Sequence, residues 1–296
     1  MSKYFLVTGM HRSGTTIMAK ILENYDNVSI IREPFNPVYG LKDICCYWPN
    51  SITEISGVGV VELIDIMLSG WGRYSRRVDG DNIIKIAGRL IFGGNLGIDI
   101  YKYIVKKLLI GDDVKALIKD PFLVLMSEQL SLRGIKVVIM IRHPIAILQS
   151  VKRMEWIFDF DMLCSGILTE SDKVLIKNST SESQNIMILW AIIYRTVSLV
   201  KNLPNIMLVK HEDLCENPLG VISEVEKHIG LKRNTKVEEF IEDNFTSDTI
   251  IPDSQKLHVF KRNSSMLKDS WKNQEIEDID VLCSLCGNAL SEFYLY

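Results

Sequence analysis

The sequence predicts an α/β fold, a parallel sheet flanked by helices on both faces, in a single domain over residues 1–296. Three observations predict it. Short runs that are apolar on both faces alternate with helix-period patterns from end to end, as buried parallel strands and their crossover helices do. No Pro- or Gly-rich linker divides the chain. A turn bracketed by Gly9 and Gly14 joins the first apolar run to the first helical pattern.

The elements follow in order. The first strand is expected at 4–8, with a helix over 15–24. A second strand is expected at 28–31 and a third at 114–118. After the third, Asp120 is suited to cap, and Pro121 to open, a helix over 122–132. A strand at 135–141 precedes a helix over 145–154, with Pro144 at its start. The last strand, 206–209, leads to a helix over 218–229, where Val221, Ile222, Val225 and Ile229 form one stripe. Residues 40–80, 156–185 and 246–270 show little of either period. Long stretches of this kind in a compact domain often serve function, and 246–270 is expected as a lid over cofactor and substrate.

Composition excludes several classes. Lys+Arg number 34 and Asp+Glu 37, a net charge of −3, so no basic excess exists to neutralise a nucleic-acid backbone. With 47% hydrophobic and 24% charged residues, global disorder is excluded. No run of about 18 apolar residues is present to span a bilayer, and residues 1–8 lack the pattern of a signal peptide, so a cytoplasmic protein without a membrane span is expected. The cysteines, Cys45, Cys46, Cys164, Cys215, Cys283 and Cys286, are irregularly spaced, which argues against a disulfide framework. Cys283 and Cys286 have zinc spacing but no second pair, so no metal is expected.

The strongest local signal is Gly9-Met10-His11-Arg12-Ser13-Gly14-Thr15-Thr16 between strand and helix. Glycines let the backbone curl so that N–H groups converge on an anion, and the helix adds the positive end of its dipole. The spacing matches G-x-x-x-x-G-K-[ST], a P-loop-type arrangement, except that Thr15 stands where Lys would. That Lys reaches the β- and γ-phosphates of a triphosphate. Here the cation is Arg12, inside the loop. A phosphotransferase or NTPase would want Lys at position 15 and a metal-holding acid after a later strand, for which Asp120 is available. Further on, Arg142 ends a strand just before Pro144, and Ser150 lies eight residues later, about two helical turns.

The run Arg12-Ser13-Gly14-Thr15-Thr16 resembles the 5′-phosphosulfate motif of the sulfotransferases that use 3′-phosphoadenosine 5′-phosphosulfate (PAPS). That resemblance implies a separate 3′-phosphate site, which Arg142 and Ser150 match in order and spacing. His143 stands where family members commonly have Asp or Asn. Residues 210–214 resemble a scaffold segment, and Lys261, Arg262 and Trp271 resemble the basic segment that folds over the cofactor's phosphates. The resemblance covers residues 3 to about 272. It implies PAPS as cofactor, held by His11, Arg12, Ser13, Gly14, Thr15, Thr16, Arg142, Ser150, Lys261 and Arg262. His11 lines the loop and is also a weak second base.

Sulfuryl transfer to a hydroxyl needs a base, cations for the developing charge, and in-line placement. Glu33 follows the second strand and precedes Pro34, beside the loop if the first two strands are neighbours. A catalytic Glu stands at about this distance from the loop in the tyrosylprotein branch that the chain resembles. Lys119, in Lys119-Asp120-Pro121, resembles that branch's transition-state lysine. Many cytosolic members have a His two residues after this Lys; Pro121 here supports Glu33 as base. Arg12 is expected to act on the 5′-phosphate and the bridging oxygen. The acceptor implied by likeness to bacterial-type soluble members is a saccharide or polysaccharide precursor, with Trp48, Trp71, Trp156 and Trp190 available to line its cleft. A peptide tyrosine is the alternative acceptor. A nucleotide-binding regulator without activity is the alternative of another class.

Overall fold

The strand Tyr4–Thr8 is buried at every position because neighbours pair with it on both sides and helices cover both its faces. In chain order the strands are β1 (Tyr4–Thr8), β2 (Val28–Arg32), a short antiparallel pair β3 (Glu54–Ile55) and β4 (Val58–Gly59), β5 (Lys115–Lys119), β6 (Lys136–Ile141) and β7 (Ile206–Lys210). The structure is a computed structural model and describes residues 3–42, 44–51, 53–55, 57–72, 97–154, 157–163, 166–246 and 279–294.

Five strands form one parallel sheet in the order β2-β5-β1-β6-β7. Alternate residues of β1 enter opposite cores. Tyr4 and Leu6 join one cluster with Ile118, Val137, Ile139 and the helix Glu182–Val200. Phe5 and Val7 join the other with Leu117, Val138, Met140 and the helices Thr15–Glu23 and Pro218–Ile229. Two cores on two faces explain why the strands read as unbroken apolar runs. The α/β parallel-sheet expectation is met in a single domain.

The departures are local. Segment 121–132 is a 3-10 helix, Pro121–Met126, running into the α-helix Ser127–Leu132. The helices Ile98–Ile110 and Glu182–Val200 carry no clear sequence prediction. Glu182–Val200 is apolar on most sides, which blurs a helical stripe, because it lies within the core. Among the described residues it is the one helix long and apolar enough to cross a membrane, and its Trp190, Tyr194 and Val197 are buried against the protein itself. β2 is not beside β1; β5 lies between them. Cys46 is disulfide-bonded, whereas Cys45, Cys215, Cys283 and Cys286 form no disulfide. The expected lid, 246–270, falls outside the described residues beyond residue 246, as do Lys261, Arg262, Trp156 and Trp271.

Candidate active site

All five parallel strands deliver their carboxyl ends to one edge of the sheet, where open α/β sheets bind ligands. β1 opens into the loop 9–14, β2 into Glu33, β5 into Lys119-Asp120, β6 into Arg142-His143 and β7 into His211-Glu212. Glu33 and Lys119 come together because β2 pairs with β5 in register, Arg32 opposite Lys119. The expected neighbour relation of β1 and β2 is thus replaced by a shared neighbour, β5.

The loop 9–14 curls tightly, with Ser13 N donating to Met10 O at 3.1 Å. Gly9 and Gly14 have φ of 138° and 101°, and Arg12 takes the left-handed φ of 69°. A Cβ on Gly9 would lie 2.2 Å from the Met140 carbonyl oxygen, so only glycine fits. Gly14 caps the helix Thr15–Glu23, whose first N–H groups face the loop. Ser13 and Thr15 are buried, whereas Arg12 and Thr16 are exposed. The Tyr194 hydroxyl staples the loop to β6: it accepts from Met10 N at 3.3 Å and donates to Met140 O at 2.9 Å.

The second cation meets the first. Arg12 Nε donates to Ser150 Oγ at 2.8 Å, and Arg142 Nη1 donates to the Arg12 carbonyl at 3.2 Å. Burial lowers the Arg142 pKa, and the Glu212 charge opposes that fall. Glu212 also accepts from His143 N and from the Tyr294 hydroxyl, each at 3.0 Å, while the Trp190 indole donates to Arg142 O at 3.0 Å. The turn carrying Arg142 is therefore fixed from three sides. A half-buried guanidinium held this way is suited to an anion.

Glu33 and Lys119 form an ion pair through Oε1 and Nζ. Glu33 Oε2 accepts from Tyr39 Oη at 2.5 Å and Asn36 Nδ2 at 3.1 Å. Burial pushes the Glu33 carboxyl up, but the Lys119 charge and these hydrogen bonds outweigh it and bring the pKa to about 2. Asp120 is fully buried and accepts from Phe35 N at 2.6 Å and Phe122 N at 2.9 Å. It caps the 3-10 helix, as expected, and also pins the turn after Glu33. Each of its carboxylate oxygens thus accepts from one backbone N–H. Among the described residues no cluster of three or more His, Cys, Asp or Glu has metal-binding placement.

His11 is buried in an aromatic cluster, with ring centroids 4.5 Å from Phe122, 5.7 Å from Trp48 and 6.2 Å from Phe158. Burial lowers its pKa to about 3, so it is a neutral wall of the site. Trp48 is buried there, Trp190 backs the Arg142 turn, and Trp71 is exposed. Arg12, Glu33 and Trp48 are the non-glycine residues with positive φ among the described residues, and all three lie at this edge. Strain of that kind, roughly 1–2 kcal/mol each, collects at functional sites. Sequence reasoning missed Tyr39, Asn36, Tyr194 and His211; only Tyr39 and Asn36 had a signal, their closeness to Glu33 in the chain.

Two arginine-bearing turns joined by hydrogen bonds thus lie at this edge, with a carboxylate–lysine pair at the ends of β2 and β5. The chain belongs to the sulfotransferase domain family, whose model matches residues 2–279, and it is a sulfotransferase. Comparison with curated proteins gives no match. Among solved structures it is similar to the sulfotransferase domain from the curacin biosynthetic pathway, with 14% identity, TM-score 0.53, and 99% of this chain and 98% of that one covered. It is also similar to the sulfotransferase domain of the Synechococcus PCC 7002 olefin synthase, with 14% identity, TM-score 0.46 and coverages of 96% and 93%. Mouse sulfotransferase SULT7A1 complexed with PAP is a third, with 13% identity, TM-score 0.42 and coverages of 95% and 83%.

Proposed function

We propose that this sulfotransferase moves the sulfuryl group of PAPS to a hydroxyl acceptor by in-line transfer, with Glu33 as the base. The observation that carries the reading is the Glu33–Lys119 pair, set by the β2–β5 register at the edge that also carries the Arg12 loop. PAPS supplies a sulfuryl group on a phosphate leaving group. The loop N–H groups, Ser13, Thr15, Thr16 and Arg12 suit its 5′ end, and Arg142 and Ser150 suit its 3′-phosphate, with Lys261 and Arg262 proposed as further phosphate partners. The charge that develops is met by side-chain cations, so the reading requires no metal.

Glu33 is fully charged in the ion pair and so a weak base there. Lys119 turning from Glu33 toward the transferring group removes its main depressing partner. Burial, which pushes the carboxyl up, then dominates, and Glu33 gains basicity as the acceptor's proton must leave. Lys119 and Arg12 thus serve as the transition-state cations.

The acceptor follows as a saccharide or polysaccharide precursor, supported by likeness to bacterial-type soluble members and by the aromatic wall at Trp48. One observation favours a peptide tyrosine as a second reading: a phenol, that of Tyr39, already rests on Glu33. Glu33→Gln tests the base. The kcat should fall roughly 10²–10⁴-fold with binding of adenosine 3′,5′-bisphosphate kept; unchanged turnover removes Glu33 from the mechanism.

A further inference from the structure

Among the described residues three side chains donate to the Glu33 carboxylate: Lys119 to Oε1, Asn36 and Tyr39 to Oε2. Lys119 and Asn36 are buried at 6% and 7% exposure, while Tyr39 is 45% exposed. A hydroxyl arriving from solvent can therefore exchange with one of the three, the phenol of Tyr39. The segment that presents this phenol is built to hold it. Gly40 N donates to Asn36 O at 2.8 Å, Leu41 N to Pro34 O at 2.7 Å, and Val38 N to Asn36 Oδ1 at 2.9 Å. A Cβ on Gly40 would lie 2.3 Å from the Pro34 carbonyl oxygen, so the turn beside Tyr39 accepts only glycine. Phe35 is buried and tied to Asp120. The backbone is fixed and the exposed side chain is the part able to move.

We propose that the Tyr39 hydroxyl occupies the acceptor oxygen's seat on Glu33, so that Tyr39 is an internal stand-in for a phenol-like acceptor and leaves when the acceptor binds. This rests on the proposed role of Glu33 as base and, of the two acceptors proposed above, favours the phenol over the saccharide hydroxyl. In the transfer itself, the acceptor oxygen forms a new S–O bond, and the S–O bond to the 5′-phosphate breaks. Its electron pair leaves with the bisphosphate, and the acceptor's proton passes to Glu33 Oε2.

The test is to empty the seat and refill it. Tyr39→Ala frees Glu33 Oε2 of its phenol partner, and free phenol is the probe. Calorimetry without donor should show Tyr39→Ala binding phenol at least tenfold more tightly than wild type. With PAPS present, Tyr39→Ala should form phenyl sulfate with kcat/KM at least tenfold above wild type. Absence of both gains in a variant that still binds adenosine 3′,5′-bisphosphate overturns the proposal. Should the alanine variant fail to fold, Tyr39→Phe removes only the hydroxyl. Water then takes the seat, and donor hydrolysis should rise at least threefold with donor KM unchanged; unchanged or slower hydrolysis overturns the proposal. The double variant Glu33→Gln/Tyr39→Ala separates the two readings. Phenol binding retained with sulfation unchanged from Tyr39→Ala removes Glu33 as base and leaves the seat standing. Retained binding with sulfation lost supports both.

Discussion

Arg12 and Ser150, 138 residues apart in the chain, are joined by a hydrogen bond of 2.8 Å from the guanidinium Nε to the hydroxyl Oγ. With Arg142 donating to the Arg12 carbonyl, the loop after β1 and the turn after β6 form one bonded set. The two anion sites inferred from separate motifs are therefore physically continuous.

This continuity sets how the two sites respond to mutation. Hydrogen bonds to charged groups contribute about 1.5–3 kcal/mol. Arg142→Ala should accordingly weaken adenosine 3′,5′-bisphosphate by roughly 10–100-fold. Ser150→Ala, which loses a neutral donor, should weaken it less, by roughly 2–10-fold. Titration calorimetry measures both. Equal affinity in wild type and Arg142→Ala would place the 3′-phosphate elsewhere.

Asp120 makes stability depend on pH. Burial, aided by the Glu33 charge, raises its pKa from 3.8 to about 7 against the pull of two backbone donors. A carboxyl raised on folding contributes stability that is complete below its unfolded value and is lost as pH climbs through the folded one. Asp120→Asn keeps one acceptor oxygen for the two N–H groups of Phe35 and Phe122, a cost of about 1–3 kcal/mol for the group left unpaired. The gap between wild type and Asp120→Asn should therefore be larger at pH 5 than at pH 8. Urea unfolding at the two pH values reads it, and a gap that widens with pH would reverse the assignment.

The site was legible in sequence where function depends on a strand end and its next few residues. Glu33 and Arg142 directly follow a strand, Lys119 ends one and Arg12 lies in the loop after one, so a local pattern exposed them. What stayed hidden depends on distant pairing. The insertion of β5 between β1 and β2 joins segments far apart in the chain, and neither strand's own pattern encodes its neighbour. Tyr194 was hidden for a related reason: its helix is apolar on most sides, so one tyrosine that bonds the loop looks like core filling. Glu33 shows the other limit. Its place was readable, yet its ion pair and its phenol partner emerged only once β2 lay against β5 and the turn 34–41 closed.

Gly14 and His211 form a test of the loop's backing. A Cβ on Gly14 would lie 2.5 Å from the His211 ring, and φ at Gly14 is 101°. Gly14→Ala therefore meets two penalties, a side-chain clash and a backbone strain of roughly 1–2 kcal/mol. His211→Ala removes the clash but not the strain. The double variant should be less destabilised than the sum of the singles, with a coupling of roughly 0.5–3 kcal/mol. Strict additivity in thermal unfolding would mean that His211 does not press on the loop.

Thr15 separates this loop from those that hold triphosphates, and ligand-dependent unfolding reads that difference directly. No side-chain cation stands at position 15 to meet β- and γ-phosphates. Arg142 and Ser150, proposed above as the 3′-phosphate partners, are both hydrogen-bonded to Arg12 of the loop. A ligand at 100 times its Kd adds about 2.7 kcal/mol to stability. For a chain of this size each kcal/mol moves Tm by roughly 2–4 °C. Adenosine 3′,5′-bisphosphate at such a concentration should raise Tm by roughly 5–10 °C, whereas ADP and ATP–Mg²⁺ at equal concentration should shift it far less. A larger shift with ATP–Mg²⁺ would remove the 3′-phosphate role from Arg142 and Ser150, because neither has a partner in a nucleotide that lacks that group.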